Sequence, residues 1–153
     1  MTDQINTTAT PLRVVVTENN TAFSRTITAR THSFPADEPL DAGGTDLGPN
    51  PYEILLGALG ACTSMTVRMY ANRKQLPLDS IEVSLSHRRI DAADCPDCQT
   101  QTGLVDVIEK EIRLQGNLTG EQRDKLIEIS AKCPVQKTLL NEILIKTRLS
   151  GTP

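Results

Sequence analysis

Aromatic side chains are scarce in this chain of 153 residues, with two Phe, two Tyr and no Trp. A stacking platform for single-stranded nucleic acid needs several aromatic faces along a basic groove, so that class is excluded. Excess positive charge is lacking too. Sixteen Lys and Arg stand against 19 Asp and Glu, a net charge of −3, which removes the electrostatic basis for binding a phosphate backbone. The longest apolar run, Ile54 to Cys62, has nine residues and includes two glycines, against the roughly 20 needed to span a bilayer. The first residues, Met-Thr-Asp-Gln-Ile-Asn, are polar and have no basic stretch leading into an apolar one, so no export signal is visible. The expectation is a soluble, cytoplasmic protein that engages neither nucleic acid nor membrane.

The familiar catalytic signatures are missing as well. There is no G-x-S-x-G, no G-x-G-x-x-G after a strand, no Walker loop and no H-E-x-x-H. Of the two histidines, His87 continues the core face of a strand and His32 precedes a long loop, so both read as structural groups rather than bases. No cofactor and no metal is expected. What stands out instead is four cysteines, Cys62, Cys95, Cys98 and Cys133. In a reducing compartment these argue for thiol chemistry or metal before structural disulfides.

Composition is otherwise globular, 38% hydrophobic and 23% charged, and the length suits one domain. Residues 1–11 read as a flexible N-terminal tail and 12–153 as a single domain. Arg13 to Thr17 and Thr21 to Thr31 read as a hairpin. Pro35 to Pro51, with four prolines and three glycines, reads as a long functional loop. It runs into a helix from Tyr52 to about Lys74, for which Asn50 is a cap, Pro51 suits the first position and Glu53 completes a capping-box pattern. Apolar residues surround the first half of that helix, so it is expected to be buried and central. Ser80 to Ile90 alternates as a half-buried strand, with Ile81, Val83, Leu85 and His87 on one face. Leu104 to Leu114 makes the second strand of that hairpin. A helix starts at Thr119 and runs to about Lys132, Pro134 interrupts it, a short helix follows, and Glu142 to Leu149 reads as a final strand.

The four thiols differ in setting. Cys62 lies mid-helix on a stripe with Leu55, Leu59, Thr66 and Met69, where a small buried hydrophobe is one reading and a reactive thiol the other. Cys133 precedes Pro134 and a short helix, with Lys132 and Lys137 nearby, a setting that favours a thiolate; a plain helix-end residue is the alternative. Cys95-Pro96-Asp97-Cys98 sits in an acidic turn between strands. It reads as a redox dithiol, as half of a zinc site needing His87 and an Asp, or as a hairpin end with free thiols or a local disulfide.

Two segments carry a family resemblance: Gly48-Pro-Asn-Pro-Tyr-Glu-Ile-Leu-Leu-Gly-Ala-Leu-Gly-Ala-Cys62-Thr-Ser-Met65 and Lys132-Cys133-Pro134-Val135. With the order of elements from about residue 12 to 150, they resemble the family of osmotically inducible protein C and organic hydroperoxide resistance proteins (OsmC/Ohr). Ala36-Asp37-Glu38-Pro39, Thr63-Ser64-Met65-Thr66 and Asp94-Cys95-Pro96-Asp97-Cys98 are most similar to a branch also found fused to α/β-hydrolase domains. The resemblance implies an α+β fold with antiparallel sheets around a buried central helix, in an intertwined homodimer. It implies a peroxidase in which Cys62 attacks a small hydroperoxide and becomes a sulfenic acid. Cys133 then condenses with it to a disulfide, which an external dithiol reductant reopens.

Peroxidatic members place a carboxylate ten residues before the reactive cysteine, beside an arginine from the early strands. This sequence departs from that pattern: Tyr52 holds the position and Glu53 follows it. Glu53 is the candidate substitute carboxylate, its capping-box role being the equal alternative, and Arg13, Arg25 and Arg30 are the candidate arginines. The competing expectation is a non-peroxidatic member that binds a small apolar ligand at the dimer interface, with Cys95 and Cys98 as a separate redox or zinc feature. A structural partner domain for a separate hydrolase is a third.

Overall fold

The computed structural model describes residues 11–151, so the expected tail over residues 1–11 lies almost wholly outside the described residues. The fold is α+β, and the chain packs as two compact units, Met1–Ile54 and Leu55–Pro153.

In the first unit, β1 (Val15–Glu18), β2 (Arg25–Ala29) and β3 (His32–Ala36) form an antiparallel sheet in the order β1-β2-β3. Val16 pairs with Ile27, and Ile27 pairs with Phe34. The return strand expected over Thr21 to Thr31 is β2, shorter at both ends, and β3 is a further strand beyond it. Arg30, with φ of 58°, turns the chain, and β3 follows at the edge. Pro35 made this stretch read as loop, but an edge strand tolerates a residue without an N–H.

The long loop that follows is organised by Asp37, which is buried. One carboxylate oxygen accepts the Glu38 N–H at 2.8 Å; the other accepts the Thr45 hydroxyl at 2.5 Å and the Thr45 and Leu47 N–H groups at 3.1 and 3.3 Å. The Thr45 hydroxyl foremost, and these amides with it, hold Asp37 below the ordinary carboxylate value against the opposing effect of burial. Gly44 is required here, since a Cβ would lie 1.8 Å from the Glu38 carbonyl oxygen.

The loop delivers α1 (Pro51–Arg73). The capping box is formed, with the Asn50 side chain accepting the Glu53 N–H at 2.9 Å and Glu53 accepting the Asn50 N–H at 2.8 Å. One face of α1 buries Leu59, Gly60, Thr63, Val67 and Ala71. Across the helix, Leu55, Met65 and Met69 are exposed. By length and composition this 23-residue helix is apolar enough to cross a membrane, with a mean hydropathy of 1.3 over an 18-residue window. Counting the unbroken run understated this, because Thr and Ser interrupt a run while costing little in hydropathy.

In the second unit, β4 (Ser80–Asp91) and β5 (Leu104–Gln115) pair antiparallel, with Ile81 opposite Leu114, Val83 opposite Ile112, Leu85 opposite Lys110 and His87 opposite Ile108. These are the half-buried positions, so the expected inward face holds. Next, α2 (Gly120–Ser130) starts with a capping box made by Thr119 and Gln122, and α3 (Pro134–Leu140) carries Pro134 in its first turn. The core joins Val67 and Ala71 of α1, Leu126 of α2, and Leu78 and Leu118 from the turns, with Ile81 and Leu114 packed against it. Two arginines tie those turns down: Arg68 donates to the Leu78 and Asp79 carbonyls, and Arg123 to those of Leu114 and Gly116.

The expected strand from Glu142 to Leu149 is not one. The segment makes no ladder, and Ile143, Leu144, Ile145 and Leu149 are exposed. Apolar residues supply strand propensity, but a strand also needs a hydrogen-bonding neighbour, and within the described residues this segment has none.

Candidate functional site

Cys62 and Thr63 are adjacent on α1, so their side chains leave the helix about 100° apart. Thr63 falls on the buried face and Cys62 beside it, half-buried. Cys133 arrives from the other side, in the bend between α2 and α3, and is fully buried. The bend exists because Pro134 cannot continue α2 but can begin a new helix. Neither cysteine is bridged, and the two thiols lie within hydrogen-bonding reach of each other.

The pair is electrostatically lopsided. Burial pushes the Cys62 thiol up, and so does the proton it donates to Cys133; the Val135 amide and Thr66 hydroxyl offset this in part. Burial pushes Cys133 the same way but is outweighed, because its sulfur accepts from Cys62, the Gln136 amide, the Thr63 hydroxyl and the Val135 amide. Cys133 therefore lies below the ordinary thiol value and Cys62 above it. When the pair gives up its first proton, the one that remains is held on Cys62 and the charge falls on Cys133.

A lysine completes the group. Lys110 sits on the inward face of β5, and its Nζ donates to Gln136 Oε1 at 2.7 Å, the Ser130 carbonyl at 3.3 Å and Thr63 Oγ1 at 3.4 Å. Burial lowers its pKa, while the Cys133 and Cys62 sulfurs act to raise it. Sequence reasoning sought an arginine near the thiols and passed over this residue. A signal was present: the inward positions of β5 read Ile108, Lys110, Ile112, Leu114, and a lone lysine in such a row faces something that repays its burial.

The other candidates each have a local setting of their own. Arg25 pairs with Glu18 at 3.4 Å and donates to the Ser24 carbonyl. Arg30 occupies the β2–β3 turn, and Arg13 lies exposed ahead of β1. Tyr52 is exposed in the first turn of α1, and the Glu53 carboxylate serves the capping box. His32 opens β3. The His87 ring lies 2.8 Å from Asp106, which also accepts from Arg89 at 3.0 Å; His87 first, then Arg89, hold that carboxylate down.

Cys95 and Cys98 form a disulfide with Cα atoms 5.4 Å apart, in the turn between β4 and β5. The bond is what a local disulfide and the oxidised form of a redox dithiol have in common, and bonded sulfurs are not thiolate ligands for zinc. Among the described residues no three His, Cys, Asp or Glu side chains gather into a metal-binding set.

A family model described as OsmC-like protein matches residues 43–148, which include both free cysteines. A comparison with curated proteins finds no match. Among solved structures, the fold is similar to an OsmC-like protein from Mycoplasma pneumoniae, at 20% identity and a TM-score of 0.68, over 86% of this chain and 88% of that one. It is similar to an organic hydroperoxide resistance protein OsmC from Legionella pneumophila, at 14% identity and a TM-score of 0.61, over 86% and 91%. An organic hydroperoxide resistance protein from Elizabethkingia anophelis gives 15% identity and a TM-score of 0.61, over 86% and 89%. Identities this low speak for the fold alone, but the family model spans well over half of the sequence, and the chain belongs to the OsmC-like family.

Proposed function

We propose that this chain is a thiol peroxidase that reduces organic hydroperoxides through Cys62 and Cys133. The observation that carries this reading is the pair itself: two unbridged thiols in contact, one half-buried and one buried, with Cys133 the more acidic of the two. The Legionella and Elizabethkingia proteins, named for organic hydroperoxide resistance, support it. In the first step the Cys62 sulfur, as thiolate, attacks an oxygen of the peroxide. The O–O bond breaks, an alcohol leaves with a proton, and Cys62 becomes a sulfenic acid. In the second, the Cys133 sulfur attacks the Cys62 sulfur, the S–O bond breaks, water leaves, and a disulfide forms. An external dithiol then returns two electrons and two protons.

The working unit in this reading is a homodimer in the cytoplasm. The open face of α1 and the exposed apolar residues of 142–149 are surfaces that a second copy would cover. Apolar cover over Cys62 favours organic hydroperoxides over hydrogen peroxide. The test is consumption of an alkyl hydroperoxide in the presence of a dithiol. Steady turnover that is abolished by Cys62→Ser supports the proposal, and no turnover by the wild type rejects it.

A second reading has one observation in its favour. A cavity of about 180 Å³ between α1 and α2 is lined by Thr66, Met69, Tyr70, Arg73, Ile129 and Lys132, which suits a small apolar ligand with an anionic end. A non-peroxidatic member of this kind binds such a ligand equally well with Cys62 and Cys133 replaced by Ser, whereas the peroxidase is silenced.

A further inference from the structure

Lys110 is the one inward position on β5 that the fold alone does not explain. Its neighbours on that face are Ile108, Ile112 and Leu114, with Leu85 directly opposite. A charge placed there is costly unless it is matched. Among the described residues Lys110 makes no salt bridge with a carboxylate, and its three hydrogen-bond acceptors, Thr63, Ser130 and Gln136, are neutral. Three acceptors match the three N–H donors of an ammonium group. The remaining candidates for a counter-charge are the two sulfurs, whose field Lys110 feels, Cys133 ahead of Cys62.

The Thr63 hydroxyl connects the two. Because an ammonium group can only donate, Thr63 Oγ1 accepts from Lys110 and has its own proton left to donate. That proton goes to the Cys133 sulfur. One Lys110 N–H, the Thr63 hydroxyl and the sulfur thus form a chain of donors that leads to Cys133. Among the described residues, the charged or titratable groups that face Cys133 are Cys62 from α1 and Lys110 from β5. From α2 and α3 come neutral groups, the Ser130 carbonyl at Lys110 and the Val135 and Gln136 amides at the sulfur.

We propose that Lys110, acting through the Thr63 hydroxyl, is the positioning residue that keeps the charge of the thiol pair on Cys133, making Cys133 both the base that takes the Cys62 proton and the nucleophile that closes the disulfide. This rests on the peroxidase reading and assigns the roles within it. The protons balance. Cys62 passes its proton to Cys133 and attacks as thiolate; the departing alkoxide takes that proton from Cys133 and leaves as alcohol. Cys133, again a thiolate, attacks the Cys62 sulfenic acid and expels hydroxide, which solvent protonates. The cation that the family pattern would draw from an early-strand arginine is supplied here by a lysine within the same unit as both sulfurs.

The test is the pH titration of thiolate ultraviolet absorbance in the protein with Cys62 and Cys133 reduced, for the wild type and for Lys110→Met, Lys110→Arg, Thr63→Val and Thr63→Ser. The wild type is expected to release its first thiolate below the ordinary thiol value of about 8.5. Lys110→Met and Thr63→Val should each move that midpoint upward by about one unit or more, with a roughly tenfold slower thiol loss to alkyl hydroperoxide at neutral pH. Lys110→Arg and Thr63→Ser should restore both. A merely structural lysine would change thermal stability and leave the midpoint where it was. An unmoved midpoint in Thr63→Val, which keeps the lysine and nearly the same volume, overturns the proposal even if Lys110→Met does not fold. Failure of the peroxidase reading looks different: the titrations shift as stated, but hydroperoxide is not consumed by any variant.

Discussion

Leu126→Ala tests whether the helices that carry the site are held as described. Leu126 has no exposed surface and meets Val67, Ala71, Leu78 and Leu118. Removing a leucine side chain from such a site costs about 2.7–5 kcal/mol, depending on how far the surroundings collapse. Collapse is restricted here on each side. Val67 and Ala71 ride on a 23-residue helix, and Leu78 and Leu118 lie in turns that Arg68 and Arg123 tie down through carbonyls. The upper half of that range is expected, roughly 4 kcal/mol. At about 2–4 °C per kcal/mol for a chain of this size, the melting temperature should fall by roughly 8–16 °C. The assay is urea and thermal unfolding at one fixed protein concentration, since self-association would otherwise contribute to the apparent stability. A loss below about 1 kcal/mol, the range of surface substitutions, would refute the packing of α2 against α1.

Two further outcomes follow from local chemistry. Thr119→Ala removes the hydroxyl that accepts the Gln122 N–H and breaks the reciprocal box at the start of α2, so unfolding experiments should show a loss of about 1 kcal/mol; no change would mean that the box contributes nothing. The reduced protein should also have a stability maximum near the ordinary thiol pKa. Cys133 is lowered in the folded state, so its contribution is present above the unfolded value and fades as pH falls through the folded one. Cys62 is raised, so its contribution is present below the unfolded value and fades as pH climbs through the folded one. Urea midpoints measured across neutral to alkaline pH should rise and then fall, and Cys133→Ser should abolish the rising limb; a flat wild-type profile contradicts the charge assignment.

Elements with a local chemical signature were legible in the sequence. Asn50, Pro51 and Glu53 announce the start of α1, Thr119 and Gln122 that of α2, and the alternation of Ile81, Val83, Leu85 and His87 the face of β4. Features that depend on neighbours were not. β3 escaped because Pro35 reads as loop until the strand is known to be an edge. Residues 142–149 read as a strand because their side chains suit one, while the partner that would make them one is not in the sequence pattern. The closeness of Cys62 and Cys133, 71 positions apart (133 − 62), came from family resemblance, since no local periodicity reaches that far. Lys110 was readable in principle, as a charge in an apolar row. Its meaning needed the structure, which brings Thr63, Gln136 and Ser130 around its ammonium group.

The central claim is that Cys62 and Cys133 act as one redox unit. Its most direct test is peptide mapping by mass spectrometry after one equivalent of an alkyl hydroperoxide is added to protein in which both thiols are free. The account predicts that the two thiols disappear together and that a Cys62–Cys133 disulfide peptide appears, with Cys133→Ser stopping at a sulfenic acid on Cys62. Both thiols left intact would contradict it.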